Sequence, residues 1–288
     1  MAIWVAIVLG VVQGIFMFLP VSSTAHLVLS QHWLIQQGFD LPPPESAEMV
    51  LFDLVVHVGT LVSIVVVFRK SLFKVIGGVL RDTGHWLSDG GRIRRELLFL
   101  RLAFLCAFSL LVTAVIGFSF RGMFNLVFAS PVMVAGTLTL TGILLWWTDT
   151  LARRPLGLRR INLRVAGIIG LAQGLALIPG LSRSGMTITF ALFAGLKRKW
   201  AAEYSFFLAI PTILAASAVQ SLEVLLDGGL QALNWTVMGV GFVVSALVGI
   251  VALKIVLVML YKARLRIFSF YLWGLAIAVG FGFLQVGY

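Results

Sequence analysis

The chain has 288 residues, 60% of them hydrophobic and 11% charged, with a formal net charge of +11. At a mean hydropathy of +1.05, a soluble domain of this length is excluded, because its apolar surface could not all be hidden from water. The composition is that of a polytopic membrane protein. The positive charge falls in clusters between apolar runs, so membrane topology rather than a nucleic-acid partner accounts for it. A lone cysteine, Cys106 in an apolar run, rules out a disulfide within the chain and reads as packing. The first residues have neither a basic n-region nor a small-residue cleavage site, so the N-terminus reads as mature protein rather than signal peptide.

In chain order, the first apolar segment, about 3–33, breaks near its middle at Leu19-Pro20-Val21-Ser22-Ser23. Irregular backbone at membrane depth survives only when it is buried in protein or lines a wet cavity, so this segment reads as a re-entrant hairpin. Pro20 ends one half-helix, and Ser22 or Ser23 is a natural N-cap for the next. With a helix starting there, Ser22 and Ser23 share a face with His26. Three stretches long enough to span follow, at about 48–68, 102–120 and 126–148. A second broken segment, about 163–196, carries PGLSRSGMT (Pro179 to Thr187) at its middle, and spans at about 205–224, 236–261 and 267–286 complete the chain.

Residues 1–68 contain no Lys or Arg. The connection 69–101 carries Arg69, Lys70, Lys74, Arg81, Arg92, Arg94, Arg95 and Arg101. Further clusters are Arg153, Arg154, Arg159, Arg160 and Arg164, then Lys197, Arg198 and Lys199, then Lys262, Arg264 and Arg266; Arg121 stands alone and the loop near Asp227 has none. With six spans and two hairpins every cluster falls on one side, which the positive-inside rule assigns to the cytoplasm, leaving both termini outside.

The two broken segments resemble each other. Gln13-Gly14 and Pro20-Val21-Ser22-Ser23 recur as Gln173-Gly174 and Pro179-Gly180-Leu181-Ser182-Arg183-Ser184. The fold class expected is therefore an all-α polytopic membrane protein with an inverted-topology repeat, each half a re-entrant helical hairpin plus three transmembrane helices. It forms a single integral membrane domain over 1–288, with repeat 1 at about 1–150 and repeat 2 at about 160–288. In such plans the site lies near the midplane, where broken helices meet. Both tips then aim helix N-termini and hydroxyls at one spot, which suits an anion. An arginine at that depth costs roughly 3 kcal/mol on insertion scales, so Arg183 needs an anionic partner, and a phosphate serves. Thr24 and Thr189 are expected to bond back to a carbonyl one turn earlier. His57 reads as structural, and Glu203 as a favourable charge at a helix start.

GVVQGIFMFLPVSSTAH (Gly10 to His26) and PGLSRSGMT resemble the two signature motifs of the bacitracin-resistance type undecaprenyl-diphosphate phosphatases; FDLVVHVGTL (Phe52 to Leu61) and the repeat layout extend the likeness over essentially the whole chain. The resemblance implies removal of the terminal phosphate of undecaprenyl diphosphate at the outer side of the bacterial cytoplasmic membrane. That step recycles the lipid carrier for cell-wall synthesis. Ser23 and His26 match the family's catalytic Ser and His, and Arg183 its phosphate-binding Arg. Gln13, Ser22, Thr24, Ser182, Ser184, Thr187 and Asp53 match surrounding substrate-binding positions. His26 is then general base or nucleophile with Ser23 as its partner, and which of the two is phosphorylated, if either, stays open. The resemblance also implies a divalent metal, Mg or Ca, and no organic cofactor. Its partners are the lipid substrate and membrane lipids, not nucleic acid, with a homodimer left open.

One position departs. The family's first motif has Glu or Gln, three residues, then Glu; here Gln13 is followed by Met17. A thioether is a poor ligand for hard cations and takes no proton at neutral pH. Either Asp53 or Glu48 supplies the carboxylate, or the phosphatase is impaired. Two rival classes are a type 2 phosphatidic acid phosphatase, which would need a His soon after Ser-Arg, and a prenyl-phosphate transporter or flippase, which the repeat and Met17 both favour.

Overall fold

The computed structural model describes residues 1–88, 97–120, 130–152, 154–226 and 234–281. Arg92, Arg94, Arg95, Arg121, Arg153 and the loop near Asp227 lie outside the described residues. Ten α-helices are present among the described residues: α1 (Ile3–Phe16), α2 (Ser23–Gln36), α3 (Ala47–Ser88), α4 (Leu98–Ser119), α5 (Pro131–Thr150), α6 (Leu163–Leu175), α7 (Arg183–Phe193), α8 (Arg198–Leu226), α9 (Trp235–Tyr261) and α10 (Arg266–Gly280). A short 3-10 turn, Leu158–Arg160, precedes α6. No strand occurs among the described residues, only an isolated bridge between Leu156 and Leu196.

Five helices, α3, α4, α5, α8 and α9, are long and apolar enough to cross a membrane. The sixth expected span, 267–286, is represented by α10, which has 15 residues, and 282–288 lie outside the described residues. α3 departs from expectation: it does not end near 68 but runs on to Ser88, 42 residues in all. At 1.5 Å per residue that is roughly 63 Å, about twice the hydrocarbon thickness. Residues 69–88 of the supposed basic connection are therefore a helical extension of α3.

Both broken segments are hairpins: α1 and α2 flank the first break, α6 and α7 the second. Each hairpin leans on a helix from the other half of the chain, α1 on α9 and α6 on α4. Small residues permit the approach. A Cβ at Gly14 would stand 2.9 Å from the Ser245 carbonyl oxygen, and one at Gly170 would stand 2.5 Å from that of Ser109, so only glycine lets these backbones touch. Hydroxyls seal the seams: Ser109 and Thr113 of α4 donate to the Ala166 and Gly170 carbonyls of α6 at 2.8 and 3.0 Å, and Thr137 of α5 holds the second tip through the Pro179 carbonyl at 2.7 Å.

Charged pairs gather at the end of the bundle opposite the tips. Asp149 at the end of α5 accepts from the Arg266 backbone N–H at 2.7 Å and lies 3.8 Å from both Arg198 and Arg266. Asp82, buried in the α3 extension, accepts from Phe99 and Leu100 N–H at 2.8 and 3.3 Å and so caps α4 from a distance. Glu203 is a correction: α8 starts at Arg198, so Glu203 lies beyond the first turn and instead pairs with Lys199 at 3.9 Å.

Candidate functional site

The two tips meet. Ser184 Oγ approaches the Phe18 carbonyl at 3.5 Å, and a Cβ at Gly185 would stand 3.3 Å from Pro20. Ser182 takes the N-cap position of α7, its hydroxyl accepting from the Gly185 N–H at 3.2 Å. Ser22 takes the same position on α2, but in the left-handed region at φ 68°, and its hydroxyl makes no capping bond. The first turn of α2 thus keeps its N–H donors without a side-chain cap.

Met17 sits at the junction. Its sulfur is 3.6 Å from Gln13 Nε2, 3.8 Å from Ser23 Oγ and 3.8 Å from Arg183 Nη2. Three donors converge on one thioether, the weakest acceptor a side chain offers. Arg183 Nη1 is buried with no hydrogen-bond partner, and so is Gln13 Oε1. Among the described residues no carboxylate stands within ion-pair distance of Arg183. A guanidinium with one buried, unsatisfied nitrogen and no carboxylate beside it suits an anion.

His26 is held on all sides. Its ring stacks on Phe16, centroids 3.9 Å apart and planes at 15°. Nδ1 lies 2.7 Å from the Ser22 carbonyl, and because a carbonyl only accepts, Nδ1 carries the proton. In the neutral ring Nε2 then accepts from the Tyr271 hydroxyl of α10 at 2.5 Å. The expected partnership of Ser23 with His26 is therefore not made: Ser23 turns toward Met17 while both nitrogens of His26 are engaged elsewhere. Sequence reasoning missed Tyr271, since nothing local marks a residue 245 positions away.

The other expected residues divide. Ser182 and Ser184 flank the tip with hydroxyls 3.4 Å apart. Thr187 bonds back to the Arg183 carbonyl at 2.9 Å. The back-bonding foreseen for Thr24 and Thr189 is not found: Thr24 is exposed, and the buried Thr189 hydroxyl has no partner. Asp53 is engaged by Gln31 Nε2 at 2.8 Å rather than facing the Met17 sulfur. His57 donates from Nδ1 to the Asp53 carbonyl at 2.7 Å, the structural role expected, yet it also lies within electrostatic reach of Arg183. A cavity of about 220 Å³ opens beside the tips, lined by Ser22 and Thr24 from one and Pro179 and Gly180 from the other.

The residues present do not fit a divalent metal. The junction offers one amide and one hydroxyl oxygen beside a thioether and a guanidinium, with no carboxylate to balance a divalent charge. Among the described residues no group of three or more His, Cys, Asp or Glu could hold a metal ion.

Comparison with known proteins bears on this site. The family model described as bacitracin resistance protein BacA matches residues 6–278. The chain is 60% identical to the undecaprenyl-diphosphatase of Alkalilimnicola ehrlichii over 99% of this chain and 98% of that protein. It is 57% identical to the undecaprenyl-diphosphatase of Halorhodospira halophila, covering 99% of each. A more distant relative, the undecaprenyl-diphosphatase of Rubrobacter xylanophilus, is 36% identical over 95% of this chain and 96% of its own length.

Proposed function

The chain belongs to the bacitracin resistance protein BacA family, and we infer that it is an undecaprenyl-diphosphatase whose active centre is the junction of the two hairpin tips. The single observation that carries the site is the Arg183 guanidinium, its Nη1 buried and unsatisfied beside two helix N-termini, with Gln13 and Ser23 turned to the same point. A terminal phosphate placed there would accept from Arg183, Ser23, Gln13 and the free N–H groups of α2. As the anhydride P–O bond breaks, negative charge grows on the oxygens these donors face, which is where fixed donors lower the barrier. Either a water oxygen forms the new bond to phosphorus directly, or Ser23 Oγ forms it first and a water then cleaves the phosphoserine to free phosphate. In both routes the prenyl phosphate departs with the bridging oxygen and its bonding electrons.

His26 is the group able to take the proton. Its Nδ1–H is committed to Ser22, so the Nε2 lone pair is the only base it offers, and Tyr271 orients that lone pair until substrate arrives. Tyr271 is a positioning residue. The test is phosphate release from undecaprenyl diphosphate by the purified protein in detergent. Release above a protein-free control supports the reading, and lipid movement between leaflets of vesicles without release would replace it with transport.

We place the chain in the bacterial cytoplasmic membrane, with the tips toward the outer face and the basic end inside. Support comes from the gathering of Arg101, Arg159, Arg198 and Arg266 at one end of the bundle. In a Cys106→Ser background, a membrane-impermeant thiol reagent added outside should label Asp40→Cys and leave Ser88→Cys untouched. The reverse pattern would invert the topology.

A further inference from the structure

The basic end of the bundle carries a cleft of about 780 Å³ between α3, α4 and α8, closed on one side by the 3-10 turn at Leu158–Arg160. That volume is within the range of small-molecule sites, and like them the cleft has apolar walls with a few polar groups. Leu102, Cys106 and Phe207 line its floor, and Lys74, Arg159, Arg160 and Lys199 line its mouth. One carboxylate, Glu203, also lines it and pairs with Lys199 at 3.9 Å. Four cations less one carboxylate leave a surplus of three. Among the described residues Lys74, Arg159 and Arg160 have no carboxylate within 4.0 Å, although Glu203 lies within electrostatic reach of Lys74.

The mouth is built rather than incidental. The Arg101 guanidinium donates to the Arg159 carbonyl at 3.1 Å and also to that of Ile161, so the turn bearing two of the cations is pinned to α4. The preceding segment is tied to the start of α8 by the Leu156 N–H on the Gly195 carbonyl and the Lys197 N–H on the Leu156 carbonyl, both at 3.0 Å. Trp200 lines the cleft with the Lys199 ammonium 5.1 Å from its ring, an arrangement typical of the headgroup level. Phe73 and Phe104, next in sequence to the lining residues Lys74 and Ala103, are 74% and 62% exposed, so apolar surface adjoins the cleft.

We propose that this cleft binds an anionic phospholipid, its phosphate held by Lys74, Arg159 and Arg160 and its upper chain laid along the floor toward the bilayer. A free phosphate would satisfy the mouth and leave the apolar floor wet, and a neutral lipid would satisfy the floor and leave three cations unpaired; only a charged amphiphile meets both. None of the residues at the hairpin tips lines the cleft, so the site is separate from the phosphatase centre and does not depend on that reading.

Native mass spectrometry of the purified protein with equal amounts of phosphatidylglycerol and phosphatidylcholine of the same chains tests it. The parent should retain phosphatidylglycerol roughly tenfold over phosphatidylcholine, and excess inorganic phosphate should not displace it. The triple change Lys74→Gln, Arg159→Gln and Arg160→Gln should bring the two lipids to parity. Ala103→Trp, which fills the cleft without altering charge, should lower retention of both. A thermal midpoint and a gel-filtration peak like the parent's in each variant report that it is folded. A parent without preference, a preference that survives the triple change, retention that survives Ala103→Trp, or displacement by inorganic phosphate alone overturns the proposal.

Discussion

Arg183→Ala should lower phosphate release by about 10³-fold or more, the scale set by arginines that neutralise charge on a transferring phosphoryl group. Among the described residues the guanidinium's one hydrogen-bond contact is the Met17 sulfur at 3.8 Å, and its Nη1 has no partner. Removing it therefore breaks no protein hydrogen bond of consequence and takes an uncompensated charge out of the bilayer interior. The thermal midpoint should hold or rise while activity collapses, a combination that a structural role would not produce. Arg183→Lys tests the shape of the contact. It keeps the charge but loses the planar fork that grips two phosphate oxygens at once, so it too should fall well below the parent. If both variants turn over substrate like the parent, Arg183 is not the phosphate clamp and the site lies elsewhere.

Met17→Glu should raise phosphate release by roughly 10²-fold, the lower end of what a placed acid–base group contributes. Gln13, Ser23 and Arg183 already point at the sulfur from 3.6 to 3.8 Å, so a carboxylate there would find three donors waiting, one of them charged. It would also give the junction the carboxylate ligand it lacks for a hard cation, so the gain should depend on added magnesium or calcium. The alternative is that Asp53 or Glu48 supplies a carboxylate already. The geometry weighs against it: Asp53 is held by Gln31 at 2.8 Å, and Glu48 lies in the first turn of α3, more than a helical turn before Asp53. Assaying both proteins with and without metal decides the matter. A fully active parent slowed by the new Glu, through a second negative charge beside the phosphate, would overturn the impaired-enzyme reading.

Much of this molecule is legible one segment at a time. Apolar runs of membrane-spanning length, the Pro and Gly breaks at Pro20 and Pro179, and Arg and Lys clustered in one set of loops, with Arg121 and Arg183 apart, are local properties, written in consecutive residues and governed by transfer out of water and by backbone sterics. They were enough to place the helices, both hairpins and the residues at their tips. Where local rules conflicted with packing, packing prevailed. Ser22 occupies the N-cap position but adopts φ 68° and does not cap, because the chain must turn there to bring α2 back along α1. Glu203 would have suited a helix start, but α8 begins earlier, at a turn tied to Leu156.

What only the tertiary structure decided are the pairings between residues far apart in the chain. Tyr271 reaches His26 across 245 positions, Asp82 caps a helix that begins sixteen residues later, and Met17 becomes the point on which Gln13, Ser23 and Arg183 converge. None of these leaves a periodic signal. Each exists because glycines at 14 and 170 let the hairpins sink onto helices from the opposite half of the chain, and the depth of that approach fixes which side chains come within hydrogen-bond reach. The sequence by itself determined which groups the site contains, since they lie at breaks that local chemistry marks. Which of them face one another depended on close packing between distant segments, which no local pattern encodes.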